Sequence, residues 1–230
     1  MDKRLDYAII ANYIKADSKV LDVGCGDASL LDFLKKEKNV QGRGIELLNK
    51  NVALALKKGI SVIQGDADND LKDYPSNSVD YVILSQTLQA TKYPAEILNE
   101  MQRIAKFSIV SVPNFGYIKN RLYFALLGKM PVTKDLSFQW YDTPNIHFCT
   151  IKDFTILAND LNFNIKEHKY INTELPFIKE LNCNFIGNIM AKYGIFLLER
   201  GKTIKNKKKT FSKNKISFPA QENFAHTINE

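Results

Sequence analysis

The stretch KVLDVGCGDA, residues 19–28, decides the fold of this chain. Its first five residues are apolar apart from Lys19 and Asp22, which is typical of a short parallel strand buried on both faces. Gly24 and Gly26 allow a tight turn and a close approach of the main chain to a ligand, and the helix that begins next offers free amide groups. This strand–turn–helix unit predicts a doubly wound α/β sheet with a nucleoside-type pocket at its carboxyl edge.

The type of glycine turn separates several ligand classes. A dinucleotide fingerprint, G-x-G-x-x-G, requires a glycine where this chain has Ser29, and a G-x-x-x-x-G-K-[ST] phosphate loop does not occur. The alternative to any ligand-binding loop is a glycine turn that binds nothing. The order LDVGCG is similar to motif I of class I methyltransferases, which bind S-adenosylmethionine (SAM). Those proteins commonly have a further glycine where this chain has Ala28, for which a left-handed backbone is costly.

Composition indicates one α/β domain followed by a basic end. The 230 residues, 45% of them hydrophobic, suffice for one well-packed domain, and we predict that residues 1–200 form it. Most of the net charge of +7 comes from residues 200–215, which contain eight basic residues and no acidic one. We therefore expect residues 201–230 to be a basic, disordered tail. The nearly neutral domain argues against nucleic acid as its partner.

Cysteine usage and the lack of long apolar runs predict a soluble cytoplasmic protein without a metal site. The three cysteines are Cys25, Cys149 and Cys183. Their odd number and wide spacing fit free thiols in a reducing compartment. The three histidines, at positions 147, 168 and 226, are equally scattered. No signal-peptide core is present at the start, and no apolar run approaches the roughly 18–20 residues needed to span a bilayer.

Hydrophobic periodicity predicts seven strands with helices between them, and hence a mainly parallel sheet. The predicted strands are 19–23, 40–45, 60–64, 79–84, 107–112, 163–171 and 192–199, and the predicted helices are 4–16, 27–38, 50–58, one beginning after Pro94, and 150–161. The segment 115–147 lacks clean periodicity and is rich in aromatic residues. Such a segment is typical of a lid or insertion over a pocket.

Three acidic residues, Asp22, Glu46 and Asp66, end three successive predicted strands. Because these ends lie side by side in a doubly wound sheet, we expect the carboxylates to share one pocket. Glu46 follows the glycine turn at the spacing typical of an acid that accepts hydrogen bonds from ribose hydroxyls. Asp66 is placed for an adenine amine and Asp22 for an ammonium group. Each is alternatively a solvated strand-end carboxylate, but together they favour SAM or S-adenosylhomocysteine (SAH) over a phosphate-bearing ligand.

The complete candidate site combines the strand ends with the predicted lid. The predicted cofactor-binding residues are Asp22, Gly24, Cys25, Gly26, Glu46, Asp66, Ala67, Ser85 and Gln86. Within the lid, QWYDTPNIH (139–147) combines aromatic and polar residues as pocket linings do. The alternative is that Trp140 belongs to the core and His147 is a capped turn residue. The catalytic residues are unknown at this point, and the candidates are Asp142, Asn145 and His147.

Longer strings of the sequence resemble the MetW family of methionine biosynthesis proteins. They are VLDVGCGD (20–27), GRGIE (42–46), VIQGD (62–66), DYVILSQTLQAT (80–91), VPNFG (112–116), MPVTK (130–134), WYDTPNIH (140–147) and CTIKDF (149–154). The resemblance spans about residues 4–200. It implies a class I methyltransferase (Rossmann-like) fold with a mainly parallel seven-stranded sheet, and a role beside homoserine O-acyltransferase (MetX). It does not establish that a methyl group is transferred.

Two functional classes therefore stay open. In the first, the protein binds SAM or SAH and supports or regulates the acyltransferase, with Phe138, Trp140 and Tyr141 as candidate contacts. In the second, it is a SAM-dependent methyltransferase of a small molecule, and one of the three catalytic candidates orients or deprotonates the acceptor. Modification of a nucleic acid recruited by the basic tail ranks last.

Overall fold

A computed structural model describes residues 3–133, 138–174, 180–181 and 184–201. The helices are α1 (Lys3–Tyr13), α2 (Ser29–Lys38), α3 (Asn49–Lys57), α4 (Ala67–Asp70), α5 (Pro94–Ile104), α6 (Ile118–Leu127), α7 (Ile151–Asp160) and α8 (Asn184–Met190). The strands are β1 (Lys19–Val23), β2 (Gln41–Glu46), β3 (Ser61–Gln64), β4 (Val79–Ser85), β5 (Ala105–Pro113), β6 (Phe163–Ile171), β7 (Glu180–Leu181) and β8 (Tyr193–Arg200). Single 3₁₀ turns occupy Leu71–Asp73 and Leu88–Ala90.

The strands form one sheet in the order β3-β2-β1-β4-β5-β8-β6-β7. The first five strands in this order pair in parallel, and β8 lies antiparallel between β5 and β6. The seven predicted strands and the mainly parallel, doubly wound architecture are confirmed. The two-residue β7 adds a short pairing at the β6 edge. The strand order reverses between β1 and β4, and ligands of such sheets bind at this switch point.

Apolar layers cover both faces of the sheet. On one face, α1 and α2 pack Ile10 and Leu34 against the first strands. On the other face, Met101 of α5 and Phe154 of α7 are fully buried, and the ring of Phe154 lies 4.7 Å from that of Phe196 in β8. Because strands covered on both faces need apolar residues at nearly every position, the continuous apolar runs identified the central strands correctly.

Two of the helices have recognisable start signals in the sequence. Thr150 and Asp153, whose three-residue spacing predicts a capping box, form one at the start of α7: the Asp153 amide donates to the Thr150 hydroxyl, and the Thr150 amide donates to the Asp153 carboxylate. The helix α5 begins at Pro94, whose missing amide hydrogen costs nothing in the first turn. The carboxylate of Asp68 accepts hydrogen bonds from the amides of Lys92 and Tyr93, the two residues before Pro94. These hydrogen bonds fix the start of α5 beside the carboxyl edge.

The segment 115–147 contains a feature that periodicity does not predict. Residues Ile118–Leu127 form the helix α6, in which Asn120 is the buried residue. Its apolar residues surround the helix instead of forming one stripe, so no 3.6-residue period appears in the sequence. The predicted disorder of the tail, together with Cys183, His226 and Lys134, lies outside the described residues.

Candidate functional site

The glycine loop after β1 is held by the end of β2. The amides of Gly24 and Cys25 both donate to the carbonyl oxygen of Ile45, at 2.8 and 3.1 Å. Gly24 has a φ of 71°, and a Cβ at this position would lie 2.7 Å from the side chain of Thr87. The loop therefore needs glycine here both for its backbone angle and for its close packing.

Ala28 adopts the left-handed conformation expected of a glycine. Its φ is 55° and its ψ is 25°, immediately before the first residue of α2. A left-handed backbone costs an alanine about 1–2 kcal/mol, but its methyl group is fully buried in the core cluster of α1 and α2. The departure from the usual glycine therefore leaves the loop geometry in place.

Glu46 connects the glycine loop to the segment after β2. One carboxylate oxygen accepts the Gly26 amide at 2.8 Å, and the other accepts the Leu48 amide at 2.9 Å and the side-chain amide of Asn51 at 3.2 Å. The side chain is buried at 7% exposure. Because each carboxylate oxygen can accept about two hydrogen bonds, the oxygen that holds Gly26 keeps capacity for one further donor.

Asp22 is a buried carboxyl group without a hydrogen bond from the described part of the chain. It is 2% exposed at the end of β1. Burial, together with a smaller contribution from the negative charge of Glu46, raises the pKa of Asp22 to about 8. A buried carboxylate is costly unless it is neutralised or meets a positive charge. The position therefore favours a cationic group of a ligand.

Asp66 caps the short helix α4 at the end of β3. Its carboxylate accepts the Asp68 amide at 3.0 Å and the side-chain amide of Asn69 at 2.9 Å. The Asp66 amide in turn donates to the carboxylate of Asp70 at 2.7 Å. The predicted adenine-binding acid is thus held rigidly at the carboxyl edge.

Gln86 is fixed by Ser111 of the neighbouring strand β5. The Gln86 backbone is left-handed, with a φ of 55°. Its amide donates to both the carbonyl and the hydroxyl oxygen of Ser111, at 3.1 and 3.0 Å. The hydroxyl groups of Ser85 and Ser111 are 3.1 Å apart. A strained residue held this firmly is typical of a functional site.

Lys58 holds the turn between β1 and α2, a contact that was not predicted from the sequence. Its ammonium group donates to the carboxylate and the carbonyl of Asp27, at 2.7 and 2.8 Å, and to the Ser29 hydroxyl at 2.7 Å. The hydrogen bond from Lys58 lowers the pKa of Asp27 to about 2. Lys58 lies just beyond α3, 31 residues after Asp27. No local sequence motif therefore predicts the contact.

These elements surround a cavity of about 530 Å³ at the carboxyl edge. Five of the predicted cofactor-binding residues line it: Gly24, Glu46, Asp66, Ala67 and Gln86. The other four, Asp22, Cys25, Gly26 and Ser85, are outside its lining. Of these, Cys25 is buried, and burial raises the pKa of its thiol to about 12.

The cavity wall also includes residues that the sequence analysis did not propose. They include Leu47, Leu48, Asp68 and Lys92, whereas Pro144 and Ile146 belong to the stretch 139–147 that was predicted as pocket lining. A larger cavity of about 670 Å³ lies over β1–β3, beside Arg43, Ile63 and Tyr74, and contains none of the predicted site residues. The chemistry of the strand-end acids therefore identifies the smaller cavity as the candidate site.

The lid reaches the cavity with its second half. Pro144 and Ile146 line the wall, and the amides of Ile146 and His147 donate to the carbonyl of Gln89 at 2.9 and 3.0 Å. The side-chain amide of Gln89 donates to the Gln86 carbonyl at 2.7 Å. The lid and the loop after β4 are thus joined through one residue.

None of the three catalytic candidates lines the cavity. Asp142 and His147 are exposed, and the half-buried Asn145 donates its amide to the Thr143 hydroxyl. Trp140 is 70% exposed and packs edge-on against Tyr141. The interpretation of Trp140 as a core residue is therefore wrong.

Neither a cluster of metal-binding side chains nor a membrane-spanning helix occurs among the described residues. Within these ranges, no group of three or more His, Cys, Asp or Glu side chains is arranged to hold a metal ion. Within the same ranges, no helix combines the length and the apolar character needed to cross a membrane.

Comparison with known proteins agrees with the predicted resemblance. The family described as methionine biosynthesis protein MetW matches residues 4–198. A bifunctional methionine biosynthesis protein MetXA/MetW of Rhodopirellula baltica is 35% identical over 175 residues, which are 72% of this chain and 28% of that protein. The chain thus spans less than a third of that relative.

Solved structures show the same fold at low identity. A SAM-dependent methyltransferase from Archaeoglobus fulgidus superimposes with a TM-score of 0.64 at 16% identity, over 86% of this chain and 95% of that chain. A SAM-dependent methyltransferase from Mesorhizobium loti gives a TM-score of 0.61 at 15% identity, over 85% and 97%. At such identities the likeness is one of fold.

Proposed function

The chain belongs to the MetW family of methionine biosynthesis proteins, and we propose that it binds SAM or SAH and acts as a partner or regulator of homoserine O-acyltransferase (MetX). The observation that carries the ligand assignment is the acid-lined cavity at the carboxyl edge. Its wall contains the carboxylates of Glu46, Asp66 and Asp68 and one cationic side chain, Lys92. A phosphate group would meet mainly like charge here, whereas the ammonium and sulfonium groups of SAM meet opposite charge.

The residues of the cavity fit the parts of SAM one by one. The free acceptor capacity of Glu46 suits a ribose hydroxyl, and the exposed apolar side chains of Leu47 and Leu48 suit the faces of an adenine ring. Asp66 is positioned for the adenine amine. Asp22 is outside the cavity lining and lies two residues before Gly24. Its buried carboxyl group, which accepts no hydrogen bond from the described residues, is the candidate for the ammonium group. The volume of about 530 Å³ is within the range of pockets for ligands of this size.

The partner assignment rests on the name of the Rhodopirellula baltica relative, which joins MetXA and MetW in one protein. Two proteins that are fused into one chain in a relative are expected to contact each other where they are separate chains. SAM is a downstream product of the methionine pathway, so its binding offers feedback on the acyltransferase. Such feedback requires that SAM binds one conformation of the pair better than another. We place this activity in the cytoplasm, where free thiols stay reduced.

Methyl transfer to a small molecule is the second candidate, since the fold is shared with SAM-dependent methyltransferases. Alignment of an acceptor with the methyl carbon would supply most of the catalysis. Asp142, Asn145 and His147 are the candidate orienting groups, but none of them lines the cavity. This position of the three side chains makes the regulatory role the better supported one.

An acyltransferase assay with purified components tests the proposed function. The homoserine O-acyltransferase of the same organism is assayed alone, with this protein, and with this protein plus SAM. We expect the protein to change the acylation rate, and SAM to change it again. An unaltered rate in all three reactions would overturn the regulatory role. In parallel, methyl-labelled SAM is incubated with the protein and cell extract, where a labelled small-molecule product would establish methyl transfer instead.

A further inference from the structure

The helix α6 exposes an unusual amount of apolar surface. Its last turns have the sequence LYFALL, and no acidic residue occurs between its start and Thr133. Among the large apolar side chains of α6 and the lid, Leu122, Phe124, Leu126, Leu127, Trp140 and Tyr141 are each between 51% and 78% exposed. We call these six residues the α6–lid surface. The packing of α6 against its own domain therefore leaves most of its large apolar side chains in solvent, where they are available to a partner.

The two halves of the α6–lid surface are connected. After α6 ends at Leu127, the chain continues through Met130, which lines a small cavity together with Trp140 of the lid and Phe148. The ring of Phe148 packs edge-on against Phe115, 4.8 Å away, just before α6. The chain just before and just after α6 therefore packs against residues between 140 and 148.

The size of the surface fits a stable protein interface. At about 200 Å² for a fully exposed large side chain, the six residues expose roughly 700–800 Å². The largest apolar patch of an ordinary monomer is roughly 300–600 Å², and each partner of a standard interface buries about 800 Å². The basic residues Arg121 and Lys129 flank the patch. A matching partner therefore has an apolar groove with acidic residues at its rim.

Direct contacts lead from this surface to the cofactor cavity. Trp140 and Tyr141 stand at the start of the same lid whose residues Pro144 and Ile146 form part of the cavity wall. The lid is fastened to the Gln89 carbonyl, and Gln89 holds the carbonyl of Gln86 in the opposite wall. A ligand that fills the cavity contacts both walls at once. It thus favours the arrangement in which the lid is docked.

We infer that the α6–lid surface is the face that docks onto the acyltransferase, and that an occupied cofactor cavity strengthens this docking. The inference rests on the proposed function, because the joined MetXA/MetW relative identifies the occupant. It adds to that function a defined contact surface and a physical route from ligand to partner. The coupling is reciprocal: the acyltransferase must raise the affinity for SAM or SAH by the same factor.

The test measures the dissociation constant between the full chain and the acyltransferase, with and without SAH. Leu126→Glu places a charge at the most exposed position of the surface, and Trp140→Ala removes its largest side chain. Leu56→Glu, on the exposed face of α3, is the matched control. We expect Leu126→Glu and Trp140→Ala to weaken binding at least tenfold and Leu56→Glu to change it less than twofold. SAH is expected to tighten binding by the wild type at least fivefold.

Binding of SAH to each variant, measured by thermal unfolding, separates the possible failures. If the wild type binds the acyltransferase and both surface variants bind equally well, the inference is overturned and the proposed function stands. If the wild type binds neither SAH nor the acyltransferase, the proposed function fails together with the inference. If the wild type self-associates and Leu126→Glu abolishes only that self-association, the surface belongs to a second copy and the inference is overturned.

Discussion

The glycine loop and the lid both contribute to the wall of the candidate cavity, but their residues are stabilised in different ways. The loop is tied down by buried contacts, such as the two amides on the Ile45 carbonyl and the bridge from Glu46 to Gly26. The lid and the adjoining α6 leave most of their large apolar side chains exposed. The first region is complete within this chain. The second presents apolar side chains that the described part of the chain leaves in solvent.

Substitution of a leucine in each region gives the largest expected contrast. Leu34 of α2 is fully buried beside the glycine loop, whereas Leu126 of α6 is 78% exposed. We expect Leu34→Ala to reduce the free energy of unfolding by about 2–5 kcal/mol, and Leu126→Ala to change it by less than about 0.5 kcal/mol. Denaturant unfolding of the isolated protein measures both. A large loss in Leu126→Ala would show that α6 is stabilised by its own domain.

Gly24→Ala tests how tightly the loop is packed. The new methyl group would combine a left-handed backbone with a 2.7 Å approach to Thr87. We expect a loss of about 2–5 kcal/mol, from roughly 1–2 kcal/mol of backbone strain and roughly 1–3 kcal/mol of overpacking. Gly59→Ala is the control, because Gly59 has a φ of 69° and no atom within 4 Å of the new methyl position. Equal losses in the two variants would contradict the tight packing.

Asp22 makes the stability of the loop region depend on pH. Its pKa is about 8 in the folded protein and close to 4 in an unfolded chain. Between these values the folded state holds the additional proton, so stability falls as the pH rises from about 4 to about 8, by at most about 1.4 kcal/mol per pH unit. Asp22→Asn should flatten this part of the profile. Melting temperatures across this range measure it, and an equally steep profile in the variant would assign the dependence to another group.

Ala28→Gly is expected to have the smallest effect. It relieves about 1–2 kcal/mol of left-handed strain, but it loses a buried methyl group, worth about 0.8 kcal/mol, and gains chain entropy in the unfolded state, worth roughly 0.4–1 kcal/mol. We expect the free energy of unfolding to change by less than about 1 kcal/mol and SAH affinity by less than twofold. A large gain in SAH affinity, measured by calorimetry, would show that Ala28 impairs the cofactor site.

The features that the sequence predicted well are those that depend on contacts between neighbouring residues. The strand β1 and the capping box of α7 depend on neighbouring residues: an apolar run before a glycine turn, and a threonine three residues before an aspartate. Such signals are local, so they can be recognised without the tertiary structure. The strand-end positions of Glu46 and Asp66 followed from the same strand boundaries.

The missed features depend on contacts between distant residues or on contacts outside the chain. The hydrogen bonds of Glu46 to Gly26 and of Lys58 to Asp27 join residues 20 and 31 positions apart, and their geometry depends on the register of β1 and β2. The helix α6 has no single buried stripe, so the period that marks most helices is absent. An apolar pattern that serves an external partner carries no information about the fold of its own domain.

Ligand binding to the carboxyl-edge cavity is the most direct test of the central claim. Thermal unfolding is followed with SAM, SAH and NAD in parallel, for the wild type, for Ala90→Trp, which fills the cavity from an exposed wall position, and for Ala53→Trp on the exposed face of α3. Ligand at a hundred times its dissociation constant adds about 2.7 kcal/mol, or roughly 5–10 °C for a chain of this size. We predict this shift with SAM and SAH but not with NAD, in the wild type and Ala53→Trp only. An equal shift in Ala90→Trp, or no shift with either sulfur nucleoside, would contradict the account.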